Sequence, residues 1–509
     1  MDLVVAYNDF RGGLNTDAAP DNILDNELMV ADNVSLDKRG GLIKRKGTVP
    51  LNATSYGAQV EQLIEWKRND GTTVLLAVIG TTLAKISDVD GTKTDIQVLN
   101  RNQIGWFAFQ DKFYFVDGAE YRVYDGNTVA AVTPTSGSDL TPIKRCKWLV
   151  HHPKSLRFFA AGDANDKVAL YYSEPNDPTY FKATSKLYPA KAEGPITGLA
   201  VFGTAVVVFY QNGAWVWKGV DPAIDAVWEP LPIRQGTLSH KSIALTPNGL
   251  TFLGLGGIYT VTAGILDYNI TLLAGSDLVK NISNNKVTNL IKDIVHPDTT
   301  VAVFDPYAEL YMLAYGDDVT NPRNNKILVF DWNLGAFTVW TGLQANDFCL
   351  RGNGDLLIAS NNYILKANTG YKDWDVATGT YKAINFKATT KQYSFGAPFN
   401  MKYLIKFLLA AKQYTSEVSS IDITITADYK YYNLTGLKLT SVGLDESFIW
   451  GEPWGNPWGW ADLITKETKV KAKGHRFQVE FTNCAIDEPL DIYGFAFMYE
   501  LDEPRGVKI

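Results

Sequence analysis

A short hairpin pattern recurs along the chain from about residue 57 to residue 375. Each copy has an apolar strand, a turn rich in Gly, Asn and Asp, and a second apolar strand with many aromatic side chains. In the clearest copy, residues 196–219, Asn212-Gly213 separates two runs of β-branched and aromatic residues. We expect this pair to form a two-residue hairpin turn with both residues at positive φ. Copies recur about every 40–45 residues, which is typical of the blades of a β-propeller.

The number of copies sets the number of blades. The less regular copies keep the apolar pattern and vary in their turns, for example Gln110-Asp111 and Asn248-Gly249. These copies lie at residues 60–86, 103–128, 156–181, 243–261, 301–313, 327–340 and 355–365. The pattern therefore predicts an all-β protein with a β-propeller of six or seven blades.

The repeats divide the chain into three regions. Residues 1–56 are rich in Asn, Asp and Gly and predict an extended N-terminal arm that lies against another part of the protein, with a short helix around residues 25–31. Residues 57–375 form the propeller. Residues 380–509 lose the hairpin repeat but keep alternating apolar positions, which predicts a C-terminal β-sandwich domain with a Trp-rich loop at residues 447–460.

One helix is expected to interrupt the propeller near residue 290. Its apolar residues recur at helical spacing, and Ser283 and Asn284 are its predicted caps. The apolar positions are Val287, Leu290, Ile291 and Ile294. A helix inserted in a propeller is expected to pack on its outside or to contact a neighbouring protein.

Composition and charge narrow the class of protein. The chain is 46% apolar and 20% charged, which indicates an ordered globular protein. Its longest apolar stretches, residues 74–79 and 205–210, have the length of a strand, so we predict no membrane span. The first residues lack the basic patch and long apolar run of a secretory signal, so we expect the protein to stay where it is made. A net charge of −7 argues against a broad basic surface that grips nucleic acid.

The residue types of common catalytic and metal sites do not occur at the required spacing. The sequence has no GxSxG, Walker A or HExxH motif. The acidic loop at residues 88–95 lacks the terminal Glu of an EF-hand and is expected to be a hairpin tip. His151-His152 has no third ligand nearby, and we expect a surface turn there. The cysteines are widely separated and predict neither a disulfide framework nor a zinc site: Cys146, Cys349 and Cys484. We therefore predict no catalytic, cofactor or metal site.

Some six-bladed propellers are sialidases, so an enzymatic function is an alternative to a structural one. Such hydrolases carry repeated Ser-x-Asp-x-Gly-x-Thr-Trp boxes, an arginine cluster and a tyrosine nucleophile. The nearest segment, residues 330–340, lacks the Ser and has a different Asp-to-Gly spacing. We expect Asp331 and Gly335 to form a turn and Trp340 to lie in the core. The sequence thus predicts that the protein is not an enzyme.

The segment at residues 447–460 is the most unusual in composition. It contains Pro-Trp-Gly twice and four tryptophans, at Trp450, Trp454, Trp458 and Trp460. Rigid turns that hold tryptophans apart suit a docking surface, and tryptophan also stacks on sugars. The alternative is a loop that folds its tryptophans over the sandwich core. These four residues are our predicted interaction site.

Three blocks of the sequence resemble one family. The first is Asp-Phe-Arg-Gly-Gly-Leu-Asn-Thr-Asp at residues 9–17, followed by Pro20, Leu24, Glu27, Asn33 and Gly-Leu-Ile-Lys-Arg-Lys-Gly at residues 41–47. The second comprises residues 196–219, 236–243 and 248–261, and the third comprises residues 473–481 and 492–497. In this order they resemble the tail nozzle or tail hub proteins of short-tailed bacteriophages, which are also called tail tubular protein B or stabilisation proteins. The Trp-rich loop is similar to one in the distal domain of that family.

This resemblance implies a structural role in the virion tail. Six copies would form a ring below the portal and adaptor, with an axial channel for genome ejection, and the ring would also contact tail fibre or tip proteins. The family has no catalytic residues to transfer. DNA would pass through the channel without sequence-specific binding, and an acidic wall would let it slide. The protein would be assembled in the host cytoplasm and reside in the tail of the virion.

Two alternatives come from other classes of protein. One is a propeller that binds or cleaves glycans, as in receptor binding, which predicts a pocket with convergent carboxylates and arginines. The other is a baseplate or spike component of a long-tailed phage, present as a trimer or a monomer. The mass of the native assembly distinguishes them from a ring of six.

Overall fold

The computed structural model describes residues 3–225, 227–266, 269–272, 279–414, 417–439 and 463–501. Strands dominate these ranges, and the all-β prediction is confirmed. The two α-helices of the described ranges, α1 (Thr141–Arg145) and α2 (Thr288–Lys292), have five residues each, too few to cross a bilayer. Short 3₁₀-helices span Lys191–Glu193, His240–Ser242 and Pro297–Thr299.

The arm contributes six strands, each of which belongs to a sheet that later parts of the chain complete. They are β1 (Leu3–Tyr7), β2 (Gly13–Leu14), β3 (Glu27–Asp32), β4 (Val34–Leu36), β5 (Leu42–Lys44) and β6 (Val49–Pro50).

Four antiparallel four-stranded sheets follow the arm and form the first four blades. The first blade has β7 (Val60–Lys67), β8 (Thr73–Ile79), β9 (Thr82–Ile86) and β10 (Lys93–Val98). The second has β11 (Gly105–Phe109), β12 (Lys112–Val116), β13 (Tyr121–Tyr124) and β14 (Val129–Ala131). The third has β15 (Trp148–His152), β16 (Arg157–Ala161), β17 (Leu170–Tyr172) and β18 (Lys186–Leu187). The fourth has β19 (Ile196–Phe202), β20 (Ala205–Tyr210), β21 (Gly213–Trp217) and β22 (Trp228–Pro230).

Three further sheets complete the propeller. The fifth blade has β23 (Ala244–Thr246), β24 (Gly249–Gly254), β25 (Gly257–Leu266), β26 (Asn269–Leu272) and β27 (Val279–Asn281). The sixth has β28 (Val301–Asp305), β29 (Leu310–Tyr315), β30 (Lys326–Asp331) and β31 (Ala336–Thr341). The seventh has β32 (Asp347–Leu350), β33 (Leu356–Ser360) and β34 (Tyr363–Lys366), and β6 of the arm is its fourth strand.

The second strand of a blade is apolar on both faces because each blade lies between two neighbours. In β20, Val206 and Val208 pack in a core shared with the third blade, whereas Val207 and Phe209 pack in a core shared with the fifth. Successive side chains of a strand point to opposite faces of the sheet. A continuous apolar run such as β20 is therefore the sequence of a strand that is covered on both sides.

The ring of blades is closed. Leu357 and Ala359 of the seventh blade share a core with Val60 and Leu75 of the first. Strand β6 pairs antiparallel with β34, with Pro50 opposite Leu365. The predicted propeller is thus confirmed with seven blades, and an arm strand completes the last of them.

The remaining strands form a hairpin and a sandwich. The hairpin comprises β35 (Lys372–Asp375) and β36 (Thr380–Ala383). The sandwich strands are β37 (Phe386–Thr390), β38 (Lys402–Lys412), β39 (Ser420–Ala427), β40 (Lys430–Lys438), β41 (Leu463–Gly474), β42 (Phe477–Asn483) and β43 (Asp491–Leu501).

Both sandwich sheets include strands of the arm. One sheet has the order β4-β5-β43-β38-β41, with β1 also paired to β43. The other has the order β3-β37-β42-β39-β40, and it continues into the sixth blade because Asp32 of β3 pairs with Val339 of β31. The two sheets face each other across aromatic side chains, with the ring centroids of Phe481 and Phe495 5.6 Å apart.

The clearest hairpin forms, but its turn differs from the prediction. Tyr210 pairs with Gly213, so the two turn residues are Gln211 and Asn212, and Gly213 is the first residue of β21. The N–H groups of Gln211 and Asn212 donate to the carbonyl oxygens of Pro195 and Glu193. These hydrogen bonds place the turn one residue earlier than the sequence predicted. In the second blade the predicted pair is correct: Gln110 and Asp111 have φ of 48° and 58°.

Both predicted helices needed correction. The segment around residues 25–31 is not helical, because β3 pairs with β37 and gains its hydrogen bonds there. The helix near residue 290 comprises only the five residues of α2. It cannot begin at Ser283 or Asn284, because Asn285 has a φ of 62°, which is outside the α-helical range. Its first N–H groups bond to the Asp17 carboxylate of the arm rather than to Ser283 or Asn284. Val287 and Ile291 are buried, as their spacing predicted.

Candidate functional site

Polar residues occupy the centre of the propeller. The first strands of neighbouring blades contact one another there, as β7 and β32 do. The 3₁₀-helix His240–Ser242, which precedes β23 of the fifth blade, enters this centre. The chain reaches it past Gly236, where a Cβ would lie 1.7 Å from the Tyr210 carbonyl oxygen, so only glycine fits. We call Glu61, His240, Lys241 and Asp347 the hub cluster.

Lys241 links three blades across the hub cluster. Its Nζ lies 3.0 Å from the carbonyl oxygen of Glu61 in the first blade and 3.3 Å from Asp347 Oδ2 in the seventh. The same carboxylate accepts the N–H of Leu63 at 2.9 Å. Burial raises the pKa of Asp347, and the Lys241 charge opposes that shift. The ion pair thus fastens the fifth blade to the closing point of the ring.

His240 extends the hub cluster to the third and fourth blades. Its ring centroid lies 5.2 Å from that of Trp148, and Leu199 donates its N–H to His240 Nδ1 at 3.4 Å. Burial, together with the Lys241 charge, lowers the pKa of His240 to about 3. The imidazole is therefore neutral at pH 7 and can accept this hydrogen bond.

The hub cluster joins blades that are distant in the sequence. A single lysine side chain reaches from the fifth blade to the first and the seventh. The charged groups of Lys241 and Asp347 are satisfied by each other and by the backbone. The arrangement ties blades together.

A second polar cluster joins the arm, the propeller and the sandwich. Arg45 forms a bidentate ion pair with Asp373 of β35, with distances of 3.0 and 2.6 Å, and both side chains are at most 2% exposed. Arg45 Nε also donates to Asn33 Oδ1 at 2.7 Å. Asn33 Nδ2 donates in turn to Thr341 Oγ1 and to the Asn385 carbonyl, each at 2.8 Å. We call Asn33, Arg45, Thr341 and Asp373 the junction cluster.

Two arm residues next to Arg45 strengthen this junction. Lys44 is fully buried, and its ammonium donates to Asn483 Oδ1 at 2.7 Å and to the Ala485 carbonyl at 3.1 Å. Burial lowers the pKa of Lys44 to about 8. At Gly47 a Cβ would lie 1.9 Å from the Lys372 carbonyl oxygen, so the arm can pass this close to β35 only with glycine.

The beginning of the arm is fastened to the segment between the fifth and sixth blades. The buried Glu27 carboxylate pairs with Lys286 and accepts hydrogen bonds from Asn15 Nδ2 at 2.9 Å and from the Leu24 N–H at 2.8 Å. Burial raises the pKa of Glu27, but these donors outweigh it and lower the pKa overall. Lys286 also donates to the Gly12 carbonyl at 3.2 Å.

The arm residues of these fastening points lie in the first of the three sequence blocks described above. Asn15, Glu27, Asn33 and Arg45 lie in the opening block of the arm. The helix His240–Ser242 of the hub cluster lies in the second block. Their partners Lys286, Asp347 and Asp373 lie outside these blocks.

The structure places the other predicted residues as follows. Trp450, Trp454, Trp458 and Trp460 lie outside the described residues. The acidic loop is a hairpin tip, in which Asp90 accepts hydrogen bonds from Thr92 and Asp88 pairs with Arg351.

Two smaller predictions concern His151-His152 and the segment at residues 331–340. His151-His152 is not a surface turn: both residues belong to β15, and the buried His152 bonds to Ser155 Oγ and to the Thr204 carbonyl. Gly335 does form a turn, and Trp340 is a core residue, as predicted.

Sequence reasoning missed the residues that form the hub and junction clusters. The sequence around Lys241 and Asp373 has no unusual composition, and the residues that they contact are distant in the sequence. The signal available was local: Gly236 and Gly47 mark close backbone contacts beside each cluster. Within the described ranges, no group of three His, Cys, Asp or Glu side chains is arranged to hold a metal ion.

No protein-family model and no curated protein matches the sequence. Two solved structures are similar to it in fold. One is titled "Crystal Structure of Mitotic Checkpoint Complex", with 12% identity, a TM-score of 0.38, and coverage of 69% of this chain and 96% of that one. The other is YCF48 from Cyanidioschyzon merolae, with 11% identity, a TM-score of 0.40, and coverage of 62% of this chain and 98% of that one. At these scores neither structure informs the function.

Proposed function

We propose that this protein is a structural subunit of a bacteriophage tail, and that six copies form a nozzle or hub ring around an axial channel. In this role it contacts the portal or adaptor on one side and tail fibre or tip proteins on the other. DNA passes through the ring without sequence-specific binding. The protein is assembled in the host cytoplasm, resides in the virion tail, and has no catalytic role.

The observation that carries this proposal is the joining of propeller, arm and sandwich into one body. The junction cluster buries a bidentate ion pair, and one sandwich sheet is continuous with the sixth blade. Asn33 and Arg45, on the arm side of the junction cluster, lie in the block that resembles tail nozzle proteins. A ring that withstands the passage of a genome needs subunits whose domains do not move against each other.

In this proposal the axial channel lies between copies rather than through one propeller, where Lys241 of the fifth blade and Asp347 of the seventh form an ion pair. An axial channel then requires several subunits arranged around it. Closed rings of identical subunits use heterologous contacts, in which two different surfaces of the same chain meet.

The assembly mass of the full-length protein tests the proposal. We expect mass photometry to give about six times the 56.4-kDa chain mass, alone or after mixing with a portal–adaptor complex, and electron micrographs to show sixfold views. A trimer would favour the spike or baseplate alternative. A monomer that persists with the portal–adaptor complex present would contradict the ring.

A further inference from the structure

A polar cleft of about 410 Å³ lies on the outer face of the sandwich sheet, beside the arm. This volume falls in the range of about 300–1,000 Å³ that small-molecule sites occupy. The cleft lies where the β39–β40 turn meets the β41–β42 turn. Its lining includes Gln392, Asp428, Tyr429, His475, Arg476 and Gln478.

The two turns are held together by Asp428. This residue has a φ of 51°, and its carboxylate accepts the N–H groups of His475 and Arg476, each at 3.0 Å. Burial raises the pKa of Asp428, but the hydrogen bonds from His475 and Arg476 outweigh it and hold the pKa below its ordinary value. The carboxylate is therefore ionised and fixed in place before any ligand arrives.

A buried lysine fixes the neighbouring loop to the same turn. Lys402 is fully buried, and its ammonium donates to the carbonyls of Ala397, Asn400 and His475 at 2.6, 2.9 and 2.8 Å. The loop at residues 397–402 and the turn at His475 are thus ordered together. Such ordering lowers the entropy that binding must overcome.

Exposed aromatic side chains surround this end of the sandwich. Tyr429 is 94% exposed at the cleft, and Phe399, on the loop that Lys402 holds, is 92% exposed. Tyr431 of β40 is also exposed. Of these aromatic residues Tyr429 lines the cleft, and an exposed aromatic ring beside polar groups suits a binding surface.

The charges of the cleft are already paired within the protein. Arg476 Nη2 lies 2.9 Å from Asp21 Oδ2, and Asp428 is held by its N–H donors. The lining therefore has no surplus charge to attract an anion or a cation. It offers planar polar groups in Gln392, Gln478 and Arg476 next to an aromatic face.

From this arrangement we propose that the cleft binds a saccharide. The hydroxyl groups of a neutral sugar would exchange hydrogen bonds with Arg476 and the two glutamines, and an apolar face of the sugar ring would stack on Tyr429. The proposal does not rest on the ring assembly, since all its groups belong to one chain.

A microbial glycan array, followed by saturation-transfer NMR with any saccharide that binds, tests this site in the full-length protein. We expect wild-type protein to bind at least one array saccharide and Tyr429→Ala to weaken that binding about tenfold, because the stacking face is lost. Tyr307→Ala is the matched control: Tyr307 is an exposed tyrosine on the propeller and should bind like wild type.

Each other outcome overturns the proposal. Absence of wild-type binding to every array saccharide does so, and so does equal binding by Tyr429→Ala and Tyr307→Ala. If Tyr429→Ala changes the assembly mass but leaves saccharide binding intact, the cleft is a protein contact instead. Because the Tyr429 side chain is almost fully exposed, the variant is expected to fold, and its circular dichroism spectrum checks this.

Discussion

Replacing Arg45 with Ala removes the cation at the centre of the junction cluster and leaves the Asp373 carboxylate buried without its ion-pair partner. The two side chains are only 1% and 2% exposed, so water cannot take the place of the guanidinium. Breaking a buried pair from one side costs about 3–5 kcal/mol, because the remaining charge stays desolvated. We expect Arg45→Ala to lower the free energy of unfolding by about this amount.

Differential scanning calorimetry together with urea titration measures this loss. We expect the variant to unfold in separated steps, because the contact that couples the sandwich to the propeller is weakened. The matched control is Arg11→Ala in the same arm: Arg11 pairs with Asp9 at the surface, and its loss should cost much less stability than the loss of Arg45.

The double variant Arg45→Met/Asp373→Leu separates charge burial from packing. Replacing a buried ion pair with apolar residues of similar size is often neutral or stabilising, so the double variant should regain most of the stability lost by Arg45→Ala. If Arg45→Ala costs no more than Arg11→Ala, the junction cluster does not hold the two parts together and the reasoning is wrong.

Two further predictions concern the hub cluster. Lys241→Met leaves the Asp347 carboxylate without its ion-pair partner and should lower the free energy of unfolding by about 1–3 kcal/mol. The double variant Lys241→Met/Asp347→Asn should recover part of this lost stability, as measured by the same urea titration. Folding lowers the pKa of His240 from 6.5 to about 3. Between these pH values His240 is protonated in the unfolded chain but not in the folded chain, so the folded protein becomes less stable as the pH falls from 6.5 to about 3. His240→Gln should lose less stability than wild type between pH 7 and pH 4, and thermal midpoints at both values check this; parallel losses would contradict it.

The blades could be predicted from the sequence because their signal is local. An apolar run such as β20 is covered by neighbours on both faces, and every residue of the run contributes to the pattern. The positions of the turns were predicted less accurately than the strands. Gln110-Asp111 adopts positive φ as expected, whereas the turn near Asn212 is fixed by hydrogen bonds to Glu193 and Pro195, which no hairpin rule includes.

The clusters could not be predicted because their partners meet only through the fold. Arg45 and Asp373 lie in different regions of the sequence, and Lys241 reaches Asp347 across the propeller centre. A buried ion pair has no periodicity and no spacing to recognise. Arg45 lies in the opening block of the sequence, but no pattern there distinguishes it from its neighbours. Its contacts with Asp373 and Asn33 exist only in the folded chain.

The pairing of β6 with β34 has a consequence for how the protein is made. During synthesis β6 leaves the ribosome before any blade, yet its pairing partner emerges only with the seventh. Until then the first blade lacks the neighbour that covers one face of β8, and the nascent propeller is an open arc. Strand β6 therefore docks only after the strands of all seven blades have been synthesised, and the ring closes late in the folding of the chain.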